Sequence, residues 1–174
     1  MKIAILALQG AFIEHEKKLE QLGATCIELR QKSDLDQDFD GLVLPGGEST
    51  VQGKLLKELD MFDDLQKRIQ DGLPTLATCA GLILLAKEIE NQNQTYFSTI
   101  PMMVKRNAYG RQLGSFHTTE EIKGIGKVPM TFIRAPYIES VQDGVDILSK
   151  VNDNIIAVQY KKQLALAFLS LIHI

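Results

Sequence analysis

The sequence predicts an α/β fold in which helices cover both faces of a mostly parallel central sheet. Two short, continuous apolar runs, at residues 2–8 and 41–44, are typical of strands that are buried on both faces. The amphipathic pattern of residues 13–22 places a helix between them. This alternation of strand and helix is typical of parallel pairing. The 174 residues suffice for one core, and we predict a single domain over residues 1–174.

Composition and charge exclude several classes of function. Hydrophobic residues make up 45% of the chain, the formal net charge is -3 and the pI is about 5.6, which disfavours a nucleic-acid or anionic-membrane partner. We find no apolar run long enough to span a bilayer and no signal-peptide cleavage site. Two cysteines, Cys26 and Cys79, do not make a disulfide framework, and we interpret Cys26 as a core residue. A reducing, cytoplasmic location is expected.

The first elements follow in order from local signals. A turn at residues 9–10 leads from the first strand into the helix, and Gly23 ends that helix at the left-handed cap position. His15 lies in this helix, and we expect it at the surface or in an interface. A second strand is predicted at residues 25–29, followed by a polar loop at residues 33–40.

Residues 45–50 read Pro-Gly-Gly-Glu-Ser-Thr and follow directly on the third strand. The two glycines permit a sharp turn and leave backbone amides uncovered, while Ser49 or Thr50 can cap the next helix. Two interpretations stay open from this pattern: a backbone donor site for an anion or oxyanion, or a plain connecting loop. A P-loop is excluded because no Gly-Lys-Ser/Thr follows.

In the middle of the chain, the sequence pattern predicts a helix, a strand and a second helix. Residues 55–69 continue as helix with a break near Asp60. Residues 73–78 form a short apolar strand that turns at once into a helix over residues 80–89. Residues 90–95 are a polar loop.

Cys79 lies at the apex of this strand-to-helix turn, between the small residues Ala77, Ala80 and Gly81. Small side chains are needed where a strand and a helix bring two backbones close together. Strained elbows of this kind present nucleophiles, and a helix N-terminus favours the reactive thiolate. From the residues alone, a buried structural cysteine remains the alternative.

The second half of the chain has a different pattern, with short strand-like segments in place of alternating strands and helices. Strand-like pieces at residues 112–116, 128–133 and 155–160 are separated by turn residues, and a last apolar strand covers residues 164–168. We interpret this part as an antiparallel hairpin region that is added to the same sheet.

Several strings together resemble the class I glutamine amidotransferases, and more closely the glutaminase subunits of pyridoxal 5′-phosphate synthases. The resemblance covers residue 1 to about residue 168. It implies a three-layer, flavodoxin-like fold with a mostly parallel central sheet and an added hairpin region. The strings are Leu-Gln-Gly at 8–10, Pro-Gly-Gly-Glu-Ser-Thr at 45–50, Thr-Cys-Ala-Gly-Leu-Ile at 78–83, Arg-Asn-Ala-Tyr-Gly-Arg-Gln at 106–112 and Phe-Ile-Arg-Ala-Pro at 132–136.

The resemblance implies hydrolysis of L-glutamine to L-glutamate and ammonia, and delivery of the ammonia to the synthase (lyase) subunit that builds pyridoxal 5′-phosphate. Cys79 would attack the side-chain amide and form a glutamyl thioester. The backbone amides of Gly47 and Ala80 would stabilise the oxyanion. The partners implied are glutamine and the synthase subunit, with no cofactor and no metal.

The resemblance also implies a set of substrate-binding residues. A guanidinium suits the α-carboxylate of glutamine because it can bind it in a bidentate way. For each arginine the alternative is a surface salt bridge, and the contact at Arg134 can be made by its backbone. The implied residues are Gly46, Gly47, Glu48, Arg106, Ile133 and Arg134.

The chain departs from the family pattern after the last apolar strand, where the family has a His-Pro-Glu string. Leu169 occupies the position of the histidine base and Leu171 that of the glutamate that orients it. The family's closing helix does not follow, as in an aberrant or truncated C-terminus. We therefore expect severely impaired catalysis, and the alternative function is a binding-only subunit.

Two smaller departures concern the remaining histidines and the elbow. His117 replaces a usual glutamate and is expected on a strand surface, while His173 lies near the lost base on a tail of unknown path. Neither is expected to serve as the base, because a base must first satisfy geometry. Ala77 replaces a usual glycine and is still small enough for the turn.

Overall fold

A computed structural model describes residues 1–106 and 115–169 of the chain. Four strands alternate with helices in the first half: β1 (Lys2–Leu6), β2 (Thr25–Leu29), β3 (Gly41–Leu44) and β4 (Thr75–Thr78). The helices are α1 (Phe12–Gln21), α2 (Ser49–Glu58), α3 (Phe62–Gln70) and α4 (Ala80–Leu85). The described strands that follow are β5 (Ala86–Ile89), β6 (Ile100–Lys105), β7 (Ser115–Ile122), β8 (Gly126–Ile133), β9 (Tyr137–Val141), β10 (Asp146–Val151), β11 (Asn154–Tyr160) and β12 (Gln163–Leu166).

The central sheet has the strand order β2-β1-β3-β4-β12-β11-β9-β6-β5, with β10 paired to β11. Its first half, from β2 to β12, is parallel, and antiparallel pairs follow from β12 to β6. Strands β7 and β8 form a separate antiparallel hairpin. The predicted fold class, an α/β protein with a mostly parallel sheet and an added hairpin region, is confirmed, but the expectation that the whole hairpin region joins the central sheet is wrong, because β7 and β8 pair only with each other.

Both faces of the parallel half are covered. On one face Ile3, Ile5 and Val43 pack with Phe12 and Leu19 of α1. Alternate residues of the same strands belong to the main core on the other face. The continuous apolar runs in the sequence therefore reflect strands buried on two sides. Among the described helices, none combines the length and the apolarity needed to cross a bilayer.

The helix predicted over residues 80–89 is wrong in its second part. Helix α4 ends at Leu85, and the next residues form β5, which pairs in parallel with β6. Within β5, Ala86 and Ile89 are buried while Lys87 and Glu88 are exposed. A short apolar run does not distinguish a buried helix from a strand, and here the pairing with β6 decides.

Other predicted elements are close to those observed. The break near Asp60 is confirmed, since this residue has a left-handed φ of 55° between α2 and α3. The strands predicted at 128–133 and 155–160 correspond to β8 and β11. Residues 112–114 of another predicted strand lie outside the described residues. A short 3₁₀ helix, Lys32–Asp36, overlaps the loop predicted at 33–40.

Candidate active site

Cys79 lies between β4 and α4 in a strained backbone conformation. Its φ is 50° and its ψ is -105°, in a region that residues with a side chain rarely adopt. Its N–H donates to the Leu166 carbonyl at 2.8 Å, which fixes the turn to the neighbouring strand β12. The predicted elbow at the carboxyl end of a central strand is therefore present.

The small residues around the cysteine are needed for close packing. A Cβ atom built on Gly81 would lie 2.1 Å from the carbonyl oxygen of Leu44, so only glycine fits there. Ala77 and Ala80 are fully buried. The strand-to-helix approach expected from the sequence is thus observed, and alanine is accommodated at residue 77.

The glycine loop that follows β3 packs directly against the elbow. A Cβ on Gly46 would lie 3.4 Å from the Cβ of Cys79. The loop after β1 holds it in place, because the Ala11 N–H donates to the Gly46 carbonyl at 2.9 Å and the Glu48 N–H donates to Gln9 Oε1 at 2.8 Å. Two loops far apart in sequence therefore form one wall beside the thiol.

Most of the predicted site residues line a single cleft of about 70 Å³. Gly46 is not among the lining residues, but it lies next to Cys79. Ile133 is not brought into the lining, and its side chain is 48% exposed at the end of β8. The lining residues are Gly47, Glu48, Ser49, Cys79, Ala80, Ile83, Arg106, Arg134 and Pro136.

The Cys79 thiol is not the stabilised thiolate that the elbow pattern predicts. Burial raises the pKa of Cys79 to about 11; the Ala80 N–H lowers it only in part, and the nearby Glu48 raises it further. Helix α4 has six residues, and its N-terminus does not offset the desolvation of the sulfur anion. At neutral pH the thiol is protonated, so nucleophilic attack requires a base.

Among the described residues, Arg106 contacts hydroxyl groups and no carboxylate. Its Nη1 donates to Thr50 Oγ1 at 3.1 Å, and its Nη2 donates to Ser49 Oγ at 2.5 Å and to the Tyr96 hydroxyl at 3.1 Å. The surface salt bridge considered for Arg106 is not among its described contacts. Tyr96 was missed from the sequence, because nothing in its neighbourhood marks it.

The cap of helix α2 differs from the one predicted, and Arg134 lies in the lining of the cleft. The cap of α2 is Glu48, whose side chain accepts from the Thr50 N–H at 3.4 Å, so a cap by Ser49 or Thr50 is wrong. Arg134 lines the cleft from the turn between β8 and β9, with a left-handed φ of 45°.

Leu169 lies beside the elbow. It forms two backbone hydrogen bonds with Thr131 of β8, at 3.0 and 2.9 Å. Its Cδ2 is 3.0 Å from the place that a Cβ on Gly46 would take, next to Cys79. His117 is exposed on β7, as expected, and its Nδ1 is 3.0 Å from Thr131 Oγ1. Leu171 and His173 lie outside the described residues.

His15 is buried, and the surface position expected from the sequence is wrong. Its side chain is only 2% exposed, and Nε2 lies 3.2 Å from Oγ1 of Thr78, the residue before Cys79. Burial lowers the pKa of His15 to about 4, and the neighbouring Glu14 opposes this only in part. The imidazole is therefore neutral at physiological pH.

The buried His15 predicts a component of stability that is lost in mild acid. The unfolded chain takes up a proton near pH 6.5 and the folded chain near pH 4, so stability is full above 6.5 and falls between these values. The loss from this group is about 2 kcal/mol between pH 7 and pH 5. Urea unfolding at both pH values should show this loss in the parent chain and not in His15→Gln, while the exposed-site control His117→Gln should behave like the parent. Equal pH dependence in parent and His15→Gln would contradict it.

A cysteine on a strained elbow, at the carboxyl edge of a parallel sheet and beside a glycine loop, is typical of α/β proteins that present a thiol nucleophile. Residues 5–172 match the SNO glutamine amidotransferase family, and the chain belongs to that family. The resemblance expected from the sequence is thereby confirmed.

Individual relatives agree with this assignment. The chain is 64% identical to the pyridoxal 5′-phosphate synthase subunit PdxT of Desulfitobacterium hafniense, over 97% of this chain and 84% of that protein. It is 57% identical to the subunit of the same name from Streptococcus pneumoniae, over 97% of this chain and 89% of that protein. A solved structure described as a glutamine amidotransferase superimposes with a TM-score of 0.93 at 39% identity, covering 98% of this chain and 91% of that one.

Proposed function

We propose that this chain is the glutaminase subunit of a pyridoxal 5′-phosphate synthase, which hydrolyses L-glutamine and delivers ammonia to the synthase subunit. The family and the names of the relatives support this function. The observation that carries it is one cleft that contains the Cys79 thiol together with Gly47 and Ala80. A cytoplasmic location accords with a thiol that must stay reduced.

The chemistry proceeds in two halves. The sulfur of Cys79 attacks the side-chain amide carbon, the carbon–nitrogen bond breaks, and the thiol proton leaves with the nitrogen as ammonia. Water then attacks the thioester carbon, which releases glutamate and returns a proton to the sulfur. The amides of Gly47 and Ala80 stabilise the oxyanion in both halves, and one such donor is typically worth roughly 100- to 1000-fold in rate.

The charges of the cleft match a free amino acid. Glu48 suits the α-ammonium group, and Arg106 and Arg134 suit the α-carboxylate. The turn at Gly46 and Gly47 lies next to Cys79, and in this proposal the side-chain amide binds between this turn and the sulfur. In this proposal Ile133 contributes through its backbone, because the residue is not among those that line the cleft.

A second candidate function is a subunit that binds glutamine and the synthase but turns over slowly. It is favoured by Leu169, an aliphatic side chain beside the elbow where the family has its base. A protonated Cys79 depends on a base for catalysis, and no histidine is among the described residues that line the cleft. The leucine at residue 169 should therefore slow turnover strongly.

The chloroketone analogue of glutamine tests the nucleophile and the binding site without needing the base. We expect one covalent adduct, located on Cys79 by peptide mass spectrometry, forming faster at alkaline pH, and slowed by L-glutamine. Cys26, which is partly buried on β2, should be labelled more slowly and without protection by glutamine. Labelling of both cysteines at equal rates, or no protection, would refute the proposed function.

A further inference from the structure

We propose that Tyr96 is a positioning residue that fixes the Arg106 guanidinium for recognition of the substrate α-carboxylate. The proposal rests on the function above, which assigns that carboxylate to the arginine. Tyr96 lies between β5 and β6 and is 4% exposed, and its hydroxyl is 3.1 Å from Arg106 Nη2. Its hydroxyl contacts the Arg106 guanidinium and not the thiol, so a change at Tyr96 should alter the affinity for substrate.

The ring of Tyr96 is held by a contact that only glycine permits. A Cβ on Gly53 of α2 would lie 2.2 Å from Tyr96 Cε1 and 2.3 Å from Cδ1. The ring therefore lies directly against the helix backbone, which restricts its position and that of the hydroxyl that Arg106 contacts. Gly53 and Tyr96 act together as a rigid support for the arginine.

The contacts of Arg106 orient it without neutralising it. Its three described side-chain partners are the hydroxyls of Ser49, Thr50 and Tyr96. Hydroxyl oxygens accept from the guanidinium while its positive charge remains, whereas a carboxylate would cancel that charge. Ser49 and Thr50 form the first turn of the ten-residue helix α2, whose N-terminus also favours an anion. The arrangement suits a carboxylate ligand.

Removal of one hydroxyl should loosen this orientation in a specific way. In Tyr96→Phe, Nη2 keeps Ser49 but loses its second acceptor, while the ring still packs on Gly53. We expect the L-glutamine concentration that half-protects Cys79 from the chloroketone to rise about 3- to 10-fold, the effect of one lost hydrogen bond. Gly53→Ala, which must displace the ring, should shift it in the same direction.

Three readouts separate positioning from a general structural effect. Cys79 alkylation by iodoacetamide, which has no α-carboxylate, should be unchanged in Tyr96→Phe. Protection by L-glutaminamide, which lacks the carboxylate, should be equal in parent and variant. The matched control Tyr160→Phe removes a hydroxyl from β11 and should leave all values unchanged.

Unchanged half-protection by glutamine in Tyr96→Phe, or an equal loss for glutamine and glutaminamide, would overturn the assignment of Tyr96. Failure of the proposed function would look different: the parent chain itself would then show no glutamine-protected labelling of Cys79.

Discussion

Replacement of Leu169 by histidine is expected to increase ammonia release from L-glutamine by about 100-fold or more, since general acid–base catalysis typically contributes roughly 100- to 10,000-fold. The Cys79 thiol, with a pKa of about 11, needs a group that removes its proton and later protonates the leaving nitrogen. Residue 169 is anchored by its backbone to Thr131, and its side chain lies beside Gly46 at the elbow. We therefore expect an imidazole at this position to lie close enough to the thiol to accept its proton.

The assay measures ammonia in the presence of the pyridoxal 5′-phosphate synthase subunit that partners the relatives. Leu169→Asn is the matched control, because asparagine is polar and of similar size but cannot act as a base at neutral pH. The double change Leu169→His with Leu171→Glu should exceed the single one, since the resemblance assigns residue 171 the orienting role. If the unsubstituted chain already releases ammonia as fast as the histidine variant, the expected impairment is wrong.

Replacement of Cys79 by serine in the Leu169→His chain is expected to lower ammonia release by at least about 1000-fold. The base contributes to the rate only together with the nucleophile, so loss of the thiol also removes the gain from the histidine. A serine hydroxyl at the same elbow is a much weaker nucleophile than a thiol with a base beside it. The same variant should form no chloroketone adduct at residue 79 and no glutamyl thioester detectable by mass spectrometry.

Cys26→Ser is the matched control for the nucleophile. Cys26 lies on β2, at the far edge of the parallel half of the sheet, and burial raises the pKa of its thiol. This variant should retain the full ammonia release of the Leu169→His chain. Persistent turnover in Cys79→Ser, or its loss in Cys26→Ser, would assign the chemistry to a different group.

Much of the site could be predicted because its parts are short, local patterns. The elbow at Cys79 follows from an apolar strand, small residues and an immediate helix, and the glycine pair at residues 46–47 follows β3 directly. Parallel strands deliver such turns to one edge of the sheet, so the proximity of the two loops was foreseeable. The structure places both in one cleft.

The errors come from quantities that depend on packing between distant residues. His15 lies in an amphipathic helix, yet Thr78, 63 residues away, meets its ring inside the protein. The residues from Ala86 to Ile89 form a strand because β6 pairs with them, which their own pattern does not show. Tyr96 packs against Gly53, and no sequence pattern links the two segments that contain these residues.

By itself, the sequence determined the fold class and the family and predicted Cys79 as the nucleophile, because strand and helix periodicity and a strand-to-helix elbow are encoded by neighbouring residues. Only the tertiary structure decided the ionisation of Cys79, the neutral state of His15 and the hydroxyl contacts of Arg106. Desolvation and hydrogen bonding depend on which atoms from remote segments surround a group, and that arrangement exists only once the chain is folded.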